Sequence, residues 1–450
     1  MNAIEKDILK QITPTQKYKD ELKKILNEIK IIIKKEIKKR KLPIEIKLVG
    51  SIAKDTYLMN NMDIDFFLCY PKNYKKEEIA KQTLSIGKTF LKKTEESYAE
   101  HPYLRGYYKD YYIELVPCYK IENADQILSA VDRTPLHTKY VKENLKEKQK
   151  KDVRLFKQFL KGINCYGAEA QIQGFSGYLC ELIILRYKTF KETIKNASNW
   201  KKQTKISLTK QDFQDFKTPL VFIDPVDFNR NVASAVVEKK YDLFKKACKK
   251  YLEKPEKTFF FPNAIKPWNI EKIKKTIKKQ DCKYIGIKFE KPDIIDENLY
   301  PQIRKTVKSL SNKLKRNDFK IYHIKYYLTD ENIYIIIKTE KEQIEKTKIH
   351  VGPPVTKKEN SKKFLKKWNN DSSVVKKPHI KNNRWQVEIN RKYIKAEDLL
   401  KEEFEKLSLG KHIDKIVNKK YYILNLDDLL FEDLRIFWTK HLDEKNSWER

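Results

Sequence analysis

The sequence lacks the features that mark membrane-spanning, secreted and zinc-binding proteins. No uninterrupted apolar run in the 450 residues approaches the roughly 20 residues of a membrane-spanning helix, and no apolar signal segment stands at the N-terminus. The six cysteines are scattered without a Cys-x-x-Cys pair. Several stand inside apolar runs, which favours buried reduced thiols over disulfides or zinc ligands. We therefore expect a soluble, cytoplasmic protein that does not enter a membrane.

Motifs of the common nucleotide-binding folds are also missing. The chain contains no P-loop, no Gly-x-Gly-x-x-Gly sequence and no tandem repeat. Hydrophobic residues nevertheless make up 40% and aromatic residues 12% of the chain, which indicates a folded protein. A chain of 450 residues is long enough for several domains, each with its own core.

Acidic residues are few beside basic ones. The chain has 97 Lys and Arg against 62 Asp and Glu, a formal net charge of +35. An excess of this size indicates a polyanionic partner, and an RNA or DNA backbone is the usual one. The alternative is a Lys-rich composition of the organism or of a thermophile's surface, although such a surface raises Lys and Glu together.

One stretch, residues 48–68, combines two chemically informative features. A Gly50-Ser51 turn after a strand opens a short helix, and the first amides of such a helix suit a phosphate. In the next strand Asp63 and Asp65 leave the same face, roughly 6.6 Å apart at their roots. That separation lets both carboxylates reach one divalent cation, while Ile64, Phe66 and Leu68 face a core.

The same residues also have a purely structural interpretation. Alternating strands often place acids on a solvated face, and Gly-Ser is a common turn. The order of turn, short helix, polar turn and Asp-x-Asp strand nevertheless favours a metal-dependent nucleotidyltransferase. A further acid, Glu114, stands alone among apolar neighbours just before Pro117. A buried acid is costly unless it is paired or metal-bound, so both roles are open for Glu114.

A longer set of motifs accompanies this stretch. Its members are Gly50-Ser51, Asp63-x-Asp65, Val116-Pro-Cys-Tyr119, residues 129–135 (Ser-Ala-Val-Asp-Arg-Thr-Pro), residues 174–178 (Gly-Phe-Ser-Gly-Tyr), residues 224–227 (Asp-Pro-Val-Asp) and residues 230–233 (Arg-Asn-Val-Ala). The set resembles the archaeal-type (class I) CCA-adding enzymes, a tRNA nucleotidyltransferase family in the DNA polymerase β nucleotidyltransferase superfamily.

The resemblance implies roles for individual residues. The catalytic carboxylates and Mg²⁺ ligands would be Asp63, Asp65 and Glu114, the last at a place where the family usually has Asp. Contacts to the nucleotide would come from Gly50, Ser51, Lys54, His137, Lys157, Tyr166 and Arg230. Lys54 stands where the family more often has Arg. Without the resemblance, His137 and Lys157 would be interpreted as surface side chains and Tyr166 as a loop residue. Asp227 would then be interpreted as the cap of a helix that includes Arg230.

The predicted fold class is α+β, in several domains. Residues 1–148 are expected to form the nucleotidyltransferase head with a mixed sheet and helices, and residues 149–255 a helical neck that contacts the base and triphosphate. Residues 256–450 would form a small α+β, ferredoxin-like body and a mixed basic tail that bind tRNA. Within these domains the pattern predicts helices over 76–96, 297–315 and 342–348, strands at 283–289, 319–328 and 333–338, and Lys-rich loops over 357–381.

By resemblance, the chain would add C, C and A to the tRNA 3′ end from CTP and ATP without a nucleic-acid template. The 3′-hydroxyl would attack the α-phosphate beside two Mg²⁺ ions, with release of pyrophosphate. Body and tail would bind the acceptor and T-stem helix, and the family often forms homodimers. Two alternatives stay open: a poly(A)- or terminal-uridylyl-type RNA nucleotidyltransferase, and a catalytically silent RNA-binding protein.

Overall fold

The structure is a computed structural model that describes residues 1–59, 63–98, 102–210 and 215–450. The chain divides into a first unit, Met1–Ala264 with Lys445–Arg450, and a second unit, Ile265–Glu444. Both units combine helices with sheets, so the predicted α+β class is confirmed. The finer division into head, neck, body and tail stays a prediction. No helix in the described ranges is both long and apolar enough to span a bilayer.

The first unit begins with a mixed sheet whose strand order is β1-β2-β5-β4-β3. β2 pairs in parallel with β5, and the other neighbouring strands are antiparallel. The elements of this part are α1 (Ala3–Ile12), α2 (Gln16–Lys39), β1 (Glu45–Leu48), α3 (Gly50–Ala53), β2 (Asp63–Tyr70), α4 (Lys76–Gly87), β3 (Lys92–Tyr98), β4 (Pro102–Tyr108) and β5 (Tyr111–Tyr119).

The alternation of β2 fixes which of its side chains face the core. Ile64, Phe66 and Leu68 are fully buried, whereas Asp63 is exposed and Asp65 half-buried. These three apolar side chains pack in one cluster with apolar residues of α2, which recur every three or four positions. The predicted faces of this strand are therefore confirmed, and burial of the apolar face presents both acids on the other side.

The rest of the first unit is mainly helical. Its elements are α5 (Arg133–Asn144), α6 (Glu147–Gly162), α7 (Gly177–Tyr187), α8 (Phe190–Ala197), β6 (Thr204–Ile206), β7 (Leu220–Phe222) and α9 (Glu238–Glu253). One large apolar cluster joins α6, α7, α8 and α9. The end of the chain returns to this cluster, because Trp448 stacks on Phe259 with ring centroids 5.4 Å apart.

The second unit contains two sheets. The first has the strand order β14-β8-β10-β9 and the second β11-β13-β12. The elements are α10 (Ile270–Lys278), β8 (Lys283–Glu290), α11 (Asp296–Arg316), β9 (Ile321–Leu328), β10 (Asn332–Thr339), β11 (Thr347–Pro354), α12 (Lys358–Trp368), β12 (Val374–Lys381), β13 (Arg384–Asn390), α13 (Ala396–Glu403), α14 (Lys411–Val417), β14 (Tyr422–Leu424) and α15 (Arg435–Leu442). The predicted order of strand, helix and hairpin over 283–338 is confirmed.

Three of the predicted elements are wrong. The helix predicted over 76–96 ends at Gly87, where a Cβ would lie 2.4 Å from Leu104, and the chain then forms β3. The helix predicted over 342–348 is replaced by a loop and β11, because Thr347 and the following residues pair with β13. The loops predicted over 357–381 contain α12, whose Phe364 and Trp368 pack on the second sheet, and β12.

The buried face of α6 should dominate the stability of the first unit. Leu155→Ala removes a fully buried side chain from α6, and we expect it to lower the free energy of unfolding by about 2–5 kcal/mol. Leu252→Ala is the matched control, because Leu252 lies on α9 of the same unit and is 44% exposed. Urea unfolding monitored by circular dichroism measures both. Equal shifts in the two variants would contradict this packing.

Candidate active site

The parallel pairing of β2 with β5 brings two of the predicted acids side by side. In the register of these strands Asp65 stands directly opposite Glu114, and Asp63 stands opposite Tyr112. Neighbouring strands lie about 4.8 Å apart, so the side chains of a directly opposed pair share one small region. Asp63 and Asp65 are on the same face of β2, and the three acids therefore lie on one face of the sheet, on two neighbouring inner strands.

The electrostatics of Asp65 reflect this crowding. Burial raises the pKa of Asp65 well above its usual value, and the negative charges of Glu114 and Asp63 raise it further. The positive charges of Lys54 and Arg105 act in the opposite direction. A bound divalent cation would relieve the repulsion, and carboxylate oxygens are the hard ligands that such cations prefer. The donor chemistry therefore fits a divalent metal.

Glu114 has a protein partner of its own. Arg105 stands opposite it on the neighbouring antiparallel strand, and the Arg105 Nε donates to Glu114 Oε1 at 2.8 Å. Within the described part of the chain, no three His, Cys, Asp or Glu side chains already surround a point where a metal ion could lie. Coordination of one ion by all three acids therefore requires at least one carboxylate to move, and we expect this to be Glu114, which is paired to Arg105.

Gly50 is required at the turn before α3 for two reasons. Its φ is +71°, a conformation that side-chain-bearing residues rarely adopt, and a Cβ here would lie 2.0 Å from Asp65 Oδ2. The close approach of backbone to carboxylate places Ser51 at the rim of a cavity of about 120 Å³. The residues that line this cavity are Ser51, Tyr57, Leu58, Asp63, Asp65, Lys157 and Tyr166, five of them predicted from the sequence as site residues.

A buried charge cluster lies behind this cavity. Glu181 of α7, fully buried, accepts from Lys54 Nζ at 2.6 Å, from Thr56 Oγ1 at 2.6 Å and from Lys157 Nζ at 3.4 Å. Lys157 of α6 also donates to the carbonyl and hydroxyl oxygens of Thr56, each at 3.1 Å. Lys54 and Lys157 are themselves 8% and 1% exposed, so the alternative interpretation of Lys157 as a surface lysine is wrong.

The two signs of charge stabilise each other in this cluster. Burial alone would raise the pKa of Glu181, but the charges of Lys54 and Lys157 bring it below its usual value. Burial lowers the pKa of Lys157, and the Glu181 charge partly offsets that effect. Glu181 is not among the site residues predicted from the sequence. It is nevertheless a lone acid in an apolar run, the same signal that singled out Glu114.

A second cluster is centred on Asp224, which is fully buried. His137 Nε2 and Arg230 Nη1 each lie 2.8 Å from Asp224 Oδ2, and the Tyr178 hydroxyl donates to Oδ1 at 3.0 Å. His137 also stacks on Tyr178, with ring centroids 3.9 Å apart and planes 19° apart. The structure thus joins two predicted site residues, His137 and Arg230, through Asp224 and Tyr178, which stand in the quoted motifs but were not predicted as site residues.

The two clusters are neighbours, because Lys54 Nζ lies 5.9 Å from the centroid of the Tyr178 ring. His137, Lys54 and Arg230 do not line the small cavity beside Asp65. The helix cap suggested for Asp227 is wrong. The next helix begins at Glu238, and Asp227 instead accepts from Arg133 Nε at 2.7 Å.

Comparison with known proteins identifies similar chains over nearly the whole length. Family models match residues 30–137 (nucleotidyltransferase domain), 151–261 (tRNA nucleotidyltransferase, second domain) and 281–425 (CCA-adding enzyme, C-terminal domain). The CCA-adding enzyme of Methanosarcina mazei is 34% identical over 440 residues, 96% of each chain. The CCA-adding enzyme of Archaeoglobus fulgidus is 34% identical and covers 88% of this chain and 90% of its own. That of Picrophilus torridus is 36% identical and covers 97% of this chain and 99% of its own.

The Asp224 cluster yields a test of its electrostatics. Burial lowers the pKa of His137, and the hydrogen bond and charge of Asp224 partly offset that effect. Asp224→Asn removes the charge, so we expect the pKa of His137 to fall further. Titration by NMR of ¹³C-labelled histidine rings measures this value. His323 of the second unit, whose pKa burial lowers to about 4, is the internal reference. A His137 pKa that rises or stays constant would refute the assigned contact.

Proposed function

Because this chain belongs to the CCA-adding enzymes, a family of tRNA nucleotidyltransferases, we propose that Asp63, Asp65 and Glu114 are its catalytic carboxylates. With them it adds C, C and A to the tRNA 3′ end from CTP and ATP, without a nucleic-acid template. The observation that carries this assignment is the register that sets Asp65 directly beside Glu114. The raised pKa of Asp65, caused by burial and the neighbouring acids, supports a cation site there.

The reaction forms one phosphodiester bond and breaks one phosphoanhydride bond. The RNA 3′-hydroxyl attacks the α-phosphate, its proton is lost, and pyrophosphate leaves with the electron pair of the broken bond. The family of nucleotidyltransferase domains uses a divalent metal, which we propose to be two Mg²⁺ ions held by the three acids. Metal held by these acids would supply positive charge that lowers the pKa of the attacking hydroxyl and neutralises charge on the pyrophosphate.

Residues around the small cavity would bind the triphosphate. Ser51 and the amides that follow Gly50 lie next to Asp65 and can donate to the β- and γ-phosphates. Burial raises the pKa of Tyr166, so its phenol stays protonated and can act as a donor at neutral pH. Lys54 and Lys157 supply the positive charge that a triphosphate needs at this place.

The Asp224 cluster would bind the base end of the nucleotide. Arg230 donates to Asp224 from one guanidinium nitrogen, and this hydrogen bond fixes the orientation of the planar guanidinium group. The remaining N–H donors of the group can then hydrogen-bond to the edge of a base. His137, held between Asp224 and the Tyr178 ring, would contact the triphosphate from the same side.

The wider interactions of the chain are also proposals. The net charge of +35 suits a phosphate backbone, and we propose that the second unit binds the acceptor and T-stem helix of tRNA. A homodimer and a cytoplasmic location, both expected above, stay predictions.

The products made from single nucleotides test the proposed activity against its alternatives. Given tRNA that lacks its terminal CCA, the protein should add two C residues with CTP alone, and one A only when those are present. Untemplated homopolymer tails would instead support a poly(A)- or uridylyl-type transferase. Absence of pyrophosphate release with any nucleotide would support an RNA-binding protein without catalysis.

Removal of the negative charge of Asp65 tests the catalytic assignment. Asp65→Asn keeps the size of the side chain but weakens cation binding, so we expect nucleotide incorporation to fall by roughly a hundredfold or more. Affinity for tRNA should stay within about twofold, because the acid faces the cation and not the RNA backbone. Asp110→Asn, at the exposed β4–β5 turn, is the matched control. Incorporation at the wild-type rate by Asp65→Asn would end the assignment.

A further inference from the structure

Two lysines that are proposed to serve the triphosphate are paired with a single carboxylate. In the described part of the chain, Glu181 is the only acid that hydrogen-bonds to either Lys54 or Lys157. The three groups come from three elements: Lys54 follows α3, Lys157 lies on α6, and Glu181 lies on α7. None of the three side chains is more than 7% exposed, so water does little to orient them.

Two ammonium groups of this cluster share one carboxylate, Glu181. Lys157 also lies at the wall of the cavity that Ser51, Asp63 and Asp65 line, so it stands beside the place proposed for the triphosphate. When Asp63 and Asp65 hold a divalent cation, as proposed, the positive charge of Lys54 and Lys157 is left to attract the phosphates.

The hydrogen bonds show how Glu181 controls the lysines. Lys157 has three donors, and it uses them for the two Thr56 oxygens at 3.1 Å and for Glu181 at 3.4 Å. The Thr56 hydroxyl in turn donates to Glu181 Oε1 at 2.6 Å. The carboxylate thus fixes Lys54 directly, and fixes Lys157 both directly and through Thr56.

We infer that Glu181 is a positioning residue for the nucleotide triphosphate: it holds Lys54 and Lys157 in place and charged, so that their excess positive charge meets the phosphates. This inference rests on the proposed function, in which both lysines serve the triphosphate. Glu181 itself touches neither substrate nor metal. Its carboxylate acts on phosphate binding indirectly, through the two lysine ammonium groups that it orients.

The sign of the effect separates positioning from simple electrostatics. If Glu181 acted only through its negative charge, Glu181→Gln would make the site more positive and would strengthen the binding of a triphosphate. If Glu181 positions the lysines, the same change leaves two buried ammonium groups to repel each other, and binding weakens. The two accounts therefore predict opposite changes from one substitution.

The test compares three anions that share only the phosphates. We expect Glu181→Gln to raise the KM for CTP, the KM for ATP and the inhibition constant of inorganic tripolyphosphate by a common factor of about ten or more. The tRNA KM should not change. Asp152→Asn is the matched control: Asp152 is a buried acid of α6 that accepts from the backbone amide of Phe190, and its loss should leave all three constants within about twofold.

A second pair of variants keeps every charge and so covers the case in which Glu181→Gln does not fold. Thr56→Val removes the hydroxyl that links Glu181 to Lys157, and should raise the same three constants several-fold. Thr56→Ser keeps the hydroxyl and should restore them. Unchanged or lower constants in Glu181→Gln or in Thr56→Val, or a loss confined to kcat, would overturn the inference. Failure of the proposed function is distinct, because the wild-type protein would then incorporate no nucleotide.

Discussion

The site depends on the in-register parallel pairing of two strands, β2 and β5. Side chains along a strand alternate between faces, so a slip of one residue in either strand would turn Asp65 and Glu114 to opposite sides of the sheet. The apolar residues of the same strands prevent such a slip: Ile64, Ile113 and Leu115 are fully buried on the opposite face. The position of the acids is therefore a consequence of the core. Because a parallel pair cannot be joined by a tight turn, the chain between the strands must run through α4, β3 and β4 before it returns.

A second design principle recurs around the site. Glu181 and Asp224 are each fully buried, and each receives donors from separate elements of the first unit. A buried carboxylate is expensive to maintain unless its lone pairs are used, and here the groups that use them are the side chains proposed to meet the nucleotide. In the proposed function Glu181 orients the side chains at the phosphate end of the nucleotide, and Asp224 orients those at the base end. Glu114 also accepts from a cation, Arg105 of the neighbouring strand, but its coordination of the proposed metal would take it away from this partner.

Local patterns predicted the elements whose partners are close in sequence or whose faces are strongly apolar. The two faces of β2 and the β8-α11-β9-β10 order follow from the spacing of apolar residues. The helix predicted over 342–348 failed because β11 is stabilised by β13, some 40 residues later, and a local pattern contains no such information. The same limit explains the missed site residues. Thr56 and Glu181 are 125 positions apart, and the contacts of Asp224 reach back 87 positions to His137, so only the folded chain shows that they meet.

The most direct test of the account is the position of metal ions in crystals grown with CTP and Mn²⁺, located by anomalous scattering. The account predicts manganese bound by Asp63, Asp65 and Glu114, at metal–oxygen distances of about 2.2 Å, with the Glu114 carboxylate moved from Arg105 toward the ion. CTP bound beside Ser51 with the manganese elsewhere, or with Glu114 still paired to Arg105 and distant from any ion, would contradict it.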